Sequence, residues 1–419
     1  MIYLKTAEAH LNIESQPGMS VNGVHGETYS FSEPTMIQCF IFYNNEIKEP
    51  FVLISADLIW FSSKMSREMR REIATLCETN YSKVALAATH SHGTQNPDPD
   101  FSYGGSCSDL SDFLKSAIRE IVNKTLCRQP IQVSVEHSSI LVPNISINRR
   151  KLAISFRPQI QFRVQSLFNA RKFSDNRLDV VCFRNIKTGT VHGLLTRFTC
   201  HPVSDPENFK GSDYPGYFKR FVKSSFSEEP VVMFLQGFCG DVRPNFRRMP
   251  TSFKDHFLDW IIGYRFRKSR VGDSQNLAQK LANYALLAAH AGKDLTKPGC
   301  WDATSVEEPV ILENSVSCGR VVDITTWNIA GLKLTFVSAE ILSGFIPNKF
   351  LKSPHLFVGY TNGMIGYLAP WYEKRFGGYE IDGSRSYFGL TARISNDTCL
   401  RVSEHIIGAS TIHETTRDK

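Results

Sequence analysis

The chain reads as an α/β protein in which mixed sheets are flanked by helices. Short apolar runs of strand length recur along its 419 residues, and segments with apolar spacing of three and four stand between several of them. More than one of the strands stops abruptly at a histidine or an acid, followed by glycine or proline, as strands do where they open into loops that carry chemistry. Neither a fixed-period repeat nor a low-complexity linker divides the sequence, so residues 1–419 read as one domain.

In order along the chain, Gln38 to Tyr43 and Pro50 to Ser55 form neighbouring strands around Asn44-Asn45, the second running into Ala56-Asp57. Ser62-Ser63 caps a helix from Lys64 to about Thr79, with Met65, Met69, Ile73 and Leu76 as its stripe. The run Lys83 to Ala88 follows as a strand, and β-α-β order predicts a right-handed crossover onto a parallel neighbour. Leu110 to Leu126 is a helix and Ile131 to Val135 an alternating strand, whereas Leu152 to Ser174 shows no clear period and is read as loop and strand. Leu178 to Arg184 and Val191 to Thr199 are strands. A helix with Tyr217, Phe218, Phe221 and Val222 on its stripe precedes the buried strand Val231 to Gln236. A long helix from Ser274 to Ala291 presents Leu277, Leu281, Tyr284 and Leu287-Ala288 to the core. Val321 to Ile329 and Leu332 to Val337 pair around Ala330-Gly331, and Leu356 to Tyr360 is a further strand.

Composition excludes several classes. Hydrophobic residues at 42% and charged residues at 21% belong to a globular chain, not a disordered one. A net charge of +7 without a long Lys/Arg block gives no arm for nucleic acid. Basic and aromatic residues do gather as an insertion around 246–271, either an amphipathic helix with a solvated face or a basic lip for an anionic substrate or peripheral membrane contact. The amino terminus lacks a signal-peptide pattern, and no run approaches the ~18 apolar residues of a transmembrane segment. The ten cysteines are scattered, with no Cys-X-X-Cys, as reduced thiols of a cytoplasmic protein would be. Oligomeric state has no signature here.

The strand-end candidates are Asp57, His90, His92, His201, Asp213, Asp241, Glu340, Tyr367 and Tyr379. If the strand continues through Thr89-His90-Ser91-His92, both imidazoles project from one face; an exposed loop pair would have the same sequence. Two or three imidazoles with a carboxylate are usual ligands of a catalytic zinc, but no spacing here is a closed motif. The three aspartates read equally as partners that orient metal ligands or as ordinary loop acids and helix caps.

Taken in order, several motifs resemble the neutral ceramidase family, zinc-dependent amidases that cleave the N-acyl bond of ceramide. Ala7-Glu8-Ala9-His10-Leu11-Asn12-Ile13 with Pro17-Gly18-Met19 resembles that family's opening segment. Ala88-Thr89-His90-Ser91-His92 resembles its Thr-His-Thr-His-Ser-Gly motif, with Gly93-Thr94 as a departure. Asn148-Arg149 resembles its substrate-binding Asn-Arg, and Phe198-Thr199-Cys200-His201-Pro202 its histidine-proline strand end. Ser212-Asp213-Tyr214-Pro215-Gly216 is similar to the following loop of bacterial members. Gln236 to Asn245 resembles Gln-Gly-X-X-Gly-Asp-Val-Ser-Pro-Asn. The resemblance spans nearly the whole chain and implies a neutral-ceramidase-like catalytic fold.

It further implies that His90, His201, Glu340 and Tyr367 bind zinc (Zn2+), while His92, Arg149 and Tyr379 contact the scissile amide. Tyr367 and Tyr379 keep the family's twelve-residue separation. Arg243 stands where the family has a serine, which favours a metal-activated water over a serine nucleophile. Arg243 either binds an anionic group of the substrate or pairs with Asp241 or another acid. The family's carboxy-terminal immunoglobulin-like domain has no counterpart here, which implies a small or lipid-linked N-acyl substrate rather than ceramide itself. An esterase or phosphatase could use the same site, and a non-catalytic binding relative would lack one of the four ligands, all of which are present.

Overall fold

Alternation along the strands decides how the layers stack. The computed structural model describes residues 1–16, 20, 29–45, 47–102, 110–155, 161–295, 301–315, 317–346 and 353–411. Pro17-Gly18-Met19, Cys107, Cys300 and residues 156–160 of the unassigned stretch lie outside them. The chain opens with β1 (Ile2–His10), β2 (Ser30–Phe31), β3 (Met36–Asn44), β4 (Ile47–Ala56), α1 (Ser63–Leu76), β5 (Val84–Ala88) and α2 (Leu110–Leu126). Next come β6 (Ile131–Leu141), β7 (Ser146–Ser155), β8 (Gln161–Asn169), β9 (Arg177–Asn185), β10 (Val191–Phe198) and β11 (Phe209–Lys210). Then follow α3 (Asp213–Lys223), β12 (Val231–Gln236), β13 (Val242–Pro244), α4 (Phe253–Ile262), α5 (Asp273–His290) and β14 (Lys293–Asp294). The last third holds β15 (Asp302–Ile311), β16 (Ser317–Ile329), β17 (Leu332–Val337), β18 (Glu340–Ile341), β19 (His355–Val358), β20 (Tyr367–Leu368), α6 (Trp371–Lys374) and α7 (Asn396–Thr411).

A nine-stranded sheet in the order β12-β10-β9-β6-β1-β3-β4-β5, with β14 beside β6, forms the centre. It is antiparallel in the middle and parallel at both ends, where α1 links β4 to β5 and α3 links β10 to β12. Period two assigns the faces. Val52, Ile54 and Ala56 of β4 lie under α1 and α2, whereas Phe51 and Leu53 turn to the opposite layer. In β12, Val232 and Phe234 lie under α3 and α5, and Met233 and Leu235 face away. The opposite layer is the four-stranded sheet β15-β16-β17-β19. It packs with Phe51 edge-on to Trp327 at 5.3 Å between ring centroids.

The two ends of the central sheet meet. Ser55 Oγ of β4 donates to the carbonyl of Phe234 in β12 at 2.8 Å, and Gln236 Nε2 donates to the carbonyl of Thr89, just beyond β5, at 3.4 Å. The loops that leave β5 and β12 are therefore neighbours in space.

Most expected elements are present, with instructive shifts. Ala330 and Gly331 both have positive φ (51° and 82°), as a tight hairpin turn requires. The stretch without clear period is the β7–β8 hairpin. In α3 the buried stripe is Tyr214, Phe218 and Val222, with Tyr217 and Phe221 only half-buried. In α5, Leu287 is exposed because Ala278, Ala282, Ala285 and Ala288 form the inward face, small enough for close helix packing. Among the described residues no helix is long and apolar enough to cross a membrane.

Arg70, fully buried in α1, ties three layers together. Its Nε donates to Val84 O at 2.8 Å, its Nη1 to Asp323 Oδ2 at 2.7 Å, and its guanidinium lies 4.0 Å from the Tyr81 ring centroid. Removing one partner of a buried ion pair leaves the other charge uncompensated. Arg70→Ala is expected to lower unfolding free energy by about 3–5 kcal/mol in chemical denaturation; a loss within error of zero would show that Asp323 is rescued by other donors.

Candidate active site

Five loops converge on one point. The first leaves β5, which ends at Ala88 and does not continue through the histidine pair as one reading required. His90 has φ +66°, a left-handed conformation that costs a non-glycine residue roughly 1–2 kcal/mol. The turn holds because Thr89 N donates to Ala56 O at 3.0 Å and Ser91 N to Leu58 O at 3.2 Å. The His90 ring stacks on Tyr360 at 3.9 Å between centroids. The turn, not strand alternation, brings His90 and His92 together, with ring centroids 4.9 Å apart.

The second loop leaves β10 and carries His201. The third leaves β12, and its Cys239 carbonyl faces His201 Nδ1 at 3.0 Å. His90 Nδ1 is likewise held by the Ile59 carbonyl at 2.9 Å. A ring whose Nδ1–H donates to a carbonyl turns an Nε2 lone pair outward. Here those lone pairs face one another: His90 Nε2 lies 3.2 Å from His201 Nε2 and 3.3 Å from His92 Nε2.

The last two loops bring Glu340 and Tyr367, which the parallel pairing of β18 with β20 sets side by side in register. Glu340 Oε1 stands 3.3 Å from His90 Nε2 and 3.1 Å from His201 Nε2, yet it is buried and meets neither with hydrogen-bond geometry. A carboxylate oxygen and anchored imidazole lone pairs aimed at a common point are the donor set a metal ion takes. His90, His92 and His201 alone offer three nitrogens within 4.8 Å of one another, so the residues fit a metal.

The electrostatics agree. Burial pulls the His201 imidazole down to about 4, against the opposing pull of Glu340, which keeps it neutral. Burial, with His90 and His201 nearby, also holds His92 well below its usual value. Burial pushes the Glu340 carboxyl up, but the facing histidines outweigh it and hold it well below the usual range. Burial and the Glu340 charge push the Tyr367 phenol well up.

Arg149 completes the floor, donating from Nε to Glu380 Oε1 at 2.8 Å and from Nη2 to Gly240 O at 2.8 Å and the Tyr367 hydroxyl at 2.9 Å. Tyr379, 39% exposed, forms the rim, with its ring 5.8 Å from the Arg149 guanidinium. Asp241 acts one step back: its Oδ2 accepts from Asn148 Nδ2 at 2.7 Å, its Oδ1 from Ser343 N at 2.8 Å, and its carbonyl from Arg149 N at 2.8 Å.

Two of the aspartates do not orient a metal ligand. Asp57 accepts from Lys219 Nζ at 2.5 Å and Met36 N at 2.9 Å, fastening α3 to the sheet. Asp213 binds Ser204 through its hydroxyl and backbone N–H, closing the loop before α3. Arg243 does not pair with Asp241 or any other described acid. Its guanidinium lies 4.5 Å from the Phe266 centroid and its buried Nε has no hydrogen-bond partner. Burial and the nearby Arg149 bring it down to about 10. Sequence reasoning missed the pair Glu380 and Arg150, which buttress Arg149 with Glu373; two successive arginines in an otherwise unremarkable strand were the available signal.

Fold and site together define a mixed α/β chain with a histidine cluster able to hold a metal. No family model and no curated protein matches the sequence. Solved structures do match. A neutral ceramidase from Pseudomonas aeruginosa superposes with a TM-score of 0.74 at 15% identity, covering 99% of this chain and 75% of that one. A ceramidase complexed with C2 gives 0.75 at 13% identity, with the same 99% and 75% coverage. The chain thus has the neutral ceramidase fold, as its ordered motifs implied.

Gly240 shows how tightly the loops are wedged. A Cβ there would lie 2.9 Å from the Glu340 carbonyl and 3.0 Å from that of Ile341. Gly240→Ala is expected to weaken divalent-metal affinity about ten-fold by displacing Glu340, with circular dichroism unchanged. Unaltered affinity in a metal titration would detach that turn from the site.

Proposed function

We propose that this protein is a zinc-dependent hydrolase, related to the neutral ceramidases, that cleaves an amide (N-acyl) bond in a small or lipid-linked substrate. The observation that carries the reading is the convergence of His90, His201 and Glu340 on one point with both rings anchored through Nδ1. Two imidazoles with carboxylate and phenol oxygens suit zinc. Zinc, when bound, supplies a water of lowered pKa and Lewis-acid polarisation of a carbonyl.

His90, His201, Glu340 and Tyr367 hold the ion. His92 is the proton carrier: among the described residues its Nδ1 has no hydrogen-bond partner, unlike the anchored Nδ1 atoms of the other two rings. A ring without that anchor is free to take a proton from water and return it to the leaving amine. Arg149 keeps Nη1 without a partner among the described residues while Nε and Nη2 are engaged. That leaves it able to donate, with Tyr379, to the developing oxyanion. We place the whole of 1–419 in one catalytic unit. We assign it to the cytoplasm, where the eight described cysteines, all unpaired, would stay reduced.

Metal analysis coupled to amine release from a panel of N-acyl compounds, with ester and phosphoester analogues alongside, tests the proposal. His90→Ala and His201→Ala are expected to lose the ion, whereas His92→Ala retains it and loses about 10²–10⁴-fold in turnover, the usual worth of a general base. Metal-free wild-type protein would sink the site. Equal metal loss in all three variants would sink the division of labour, and cleavage of the esters alone would sink the amidase reading.

Arg243 adds a substrate preference. A half-buried guanidinium without an acid, its Nε buried and unpartnered, is costly, and a carboxylate or phosphate on the substrate would compensate it. Arg243→Met is expected to raise KM roughly ten-fold or more for an N-acyl amino acid, the worth of a hydrogen bond to a charged group. It should leave the neutral N-acyl ethanolamine unchanged. Parallel rises for both substrates would assign Arg243 to loop packing.

A further inference from the structure

Helix α4 is inside out. Its inward positions are Asp255, Leu258, Asp259 and Ile262, and its outward positions include Phe253, Phe257, Trp260 and Ile261. Phe253 is 86% exposed and Trp260 80%, and the Phe257 and Trp260 rings stack on each other in solvent at 6.1 Å. Water would select the opposite orientation for an amphipathic helix.

Ion pairs hold the helix this way round. Asp255 accepts from Arg248 at 3.2 Å and Arg265 at 2.9 Å, and Asp259 accepts from Arg265 at 3.0 Å. These are the two acids of residues 246–272; Arg267 and Lys268 pair outside that stretch with Asp273 and Glu207, and of its seven basic residues Arg247, Lys254 and Arg270 have no acid partner among the described residues. Turning both acids towards the protein leaves the outer face aromatic and cationic. Lys254 and Arg270 are exposed there, and Arg247 lies 3.3 Å from the Tyr264 ring centroid. Aromatic residues ringed by cations suit the interface of an anionic bilayer, where rings sit among the headgroups and Lys/Arg meet lipid charge.

The patch is also built onto the edge of the candidate site. It follows β13, which carries Arg243; Phe266 lies under the Arg243 guanidinium, and Tyr264 O accepts from Phe168 N of β8 at 2.9 Å. We propose that α4 and its flanking arginines and lysines form a docking face for an anionic lipid membrane, bringing the mouth of the site to the lipid surface. A neutral protein partner would leave the cations uncompensated, and a second copy would set two basic faces against each other.

The test uses the full chain and vesicles of phosphatidylcholine with roughly 30 mol% phosphatidylserine, free of N-acyl lipid. The readout is partition and not turnover, so its outcome is separate from that of the hydrolase reading. Wild type is expected to co-sediment with these vesicles, to be released by salt, and to show a blue-shifted, quencher-protected Trp260 signal. The variant with Phe253→Ser, Phe257→Ser and Trp260→Ser should partition about ten-fold less with an unchanged melting profile, since all three side chains are solvent-facing. Failure of wild type to bind would overturn the proposal, as would equal binding by the variant. So would a wild-type dimer in size-exclusion chromatography that the variant abolishes.

Discussion

The meeting of the two ends of the central sheet is the constraint on which the site depends. In the pairing diagram β4 and β5 run opposite to β10 and β12, so in a flat sheet their carboxy ends would lie on opposite edges. Seven steps of ordinary strand twist, roughly 20–25° each, swing one end well round relative to the other. The bonds from Ser55 to Phe234 and from Gln236 to Thr89 record the result. The loop after β5 delivers His90, the loop after β10 delivers His201, and the loop after β12 supplies the carbonyl that orients His201. No local sequence feature could bring these together, because His90 and His201 are 111 positions apart.

Once those ends meet, the outer layer finishes the site through backbone pairing. The β18–β20 bridge sets Glu340 against Tyr367, and Ala88 N donates to Tyr360 O at 3.0 Å, which seats the ring that stacks on His90. His90 pays for its left-handed turn with that stack and with the Ile59 carbonyl. Strain of this kind persists only where the surroundings over-determine it. The metal-ligand candidates are consequently held by main-chain geometry, while Arg149 is held by its ion pair with Glu380 as well as by backbone carbonyls, and Tyr379 lies beside it through a ring contact.

What could be read from sequence follows the same division. Strand ends were legible because an apolar run stopped by histidine and proline is a local pattern, and all seven residues of the ceramidase-like constellation lie together. The β7–β8 hairpin was not legible, since Arg149 and Arg150 occupy strand positions whose burial depends on Glu380 and Glu373, more than two hundred residues away. Asp57 and Asp213 looked identical to Asp241 in sequence. Only tertiary placement shows that they fasten α3 and its loop. For α4 the pattern revealed two faces but not which one turns inward, because periodicity carries no sign.

The charges around the site balance except at two points. Glu380 and Glu373 neutralise Arg149 and Arg150, with Lys172 also on Glu373, and Asp241 is satisfied by Asn148 and Ser343. What remains is Glu340, a buried carboxylate whose Oε1 has no hydrogen-bond partner, and Arg243, a half-buried guanidinium whose buried Nε has none either. An uncompensated buried charge is among the more expensive features a fold can keep. The two have opposite signs and could have been paired with each other at no cost in composition. That they are kept apart, each beside the same convergence of loops, is the arrangement expected of a site that receives a cation at one point and an anionic group at the other.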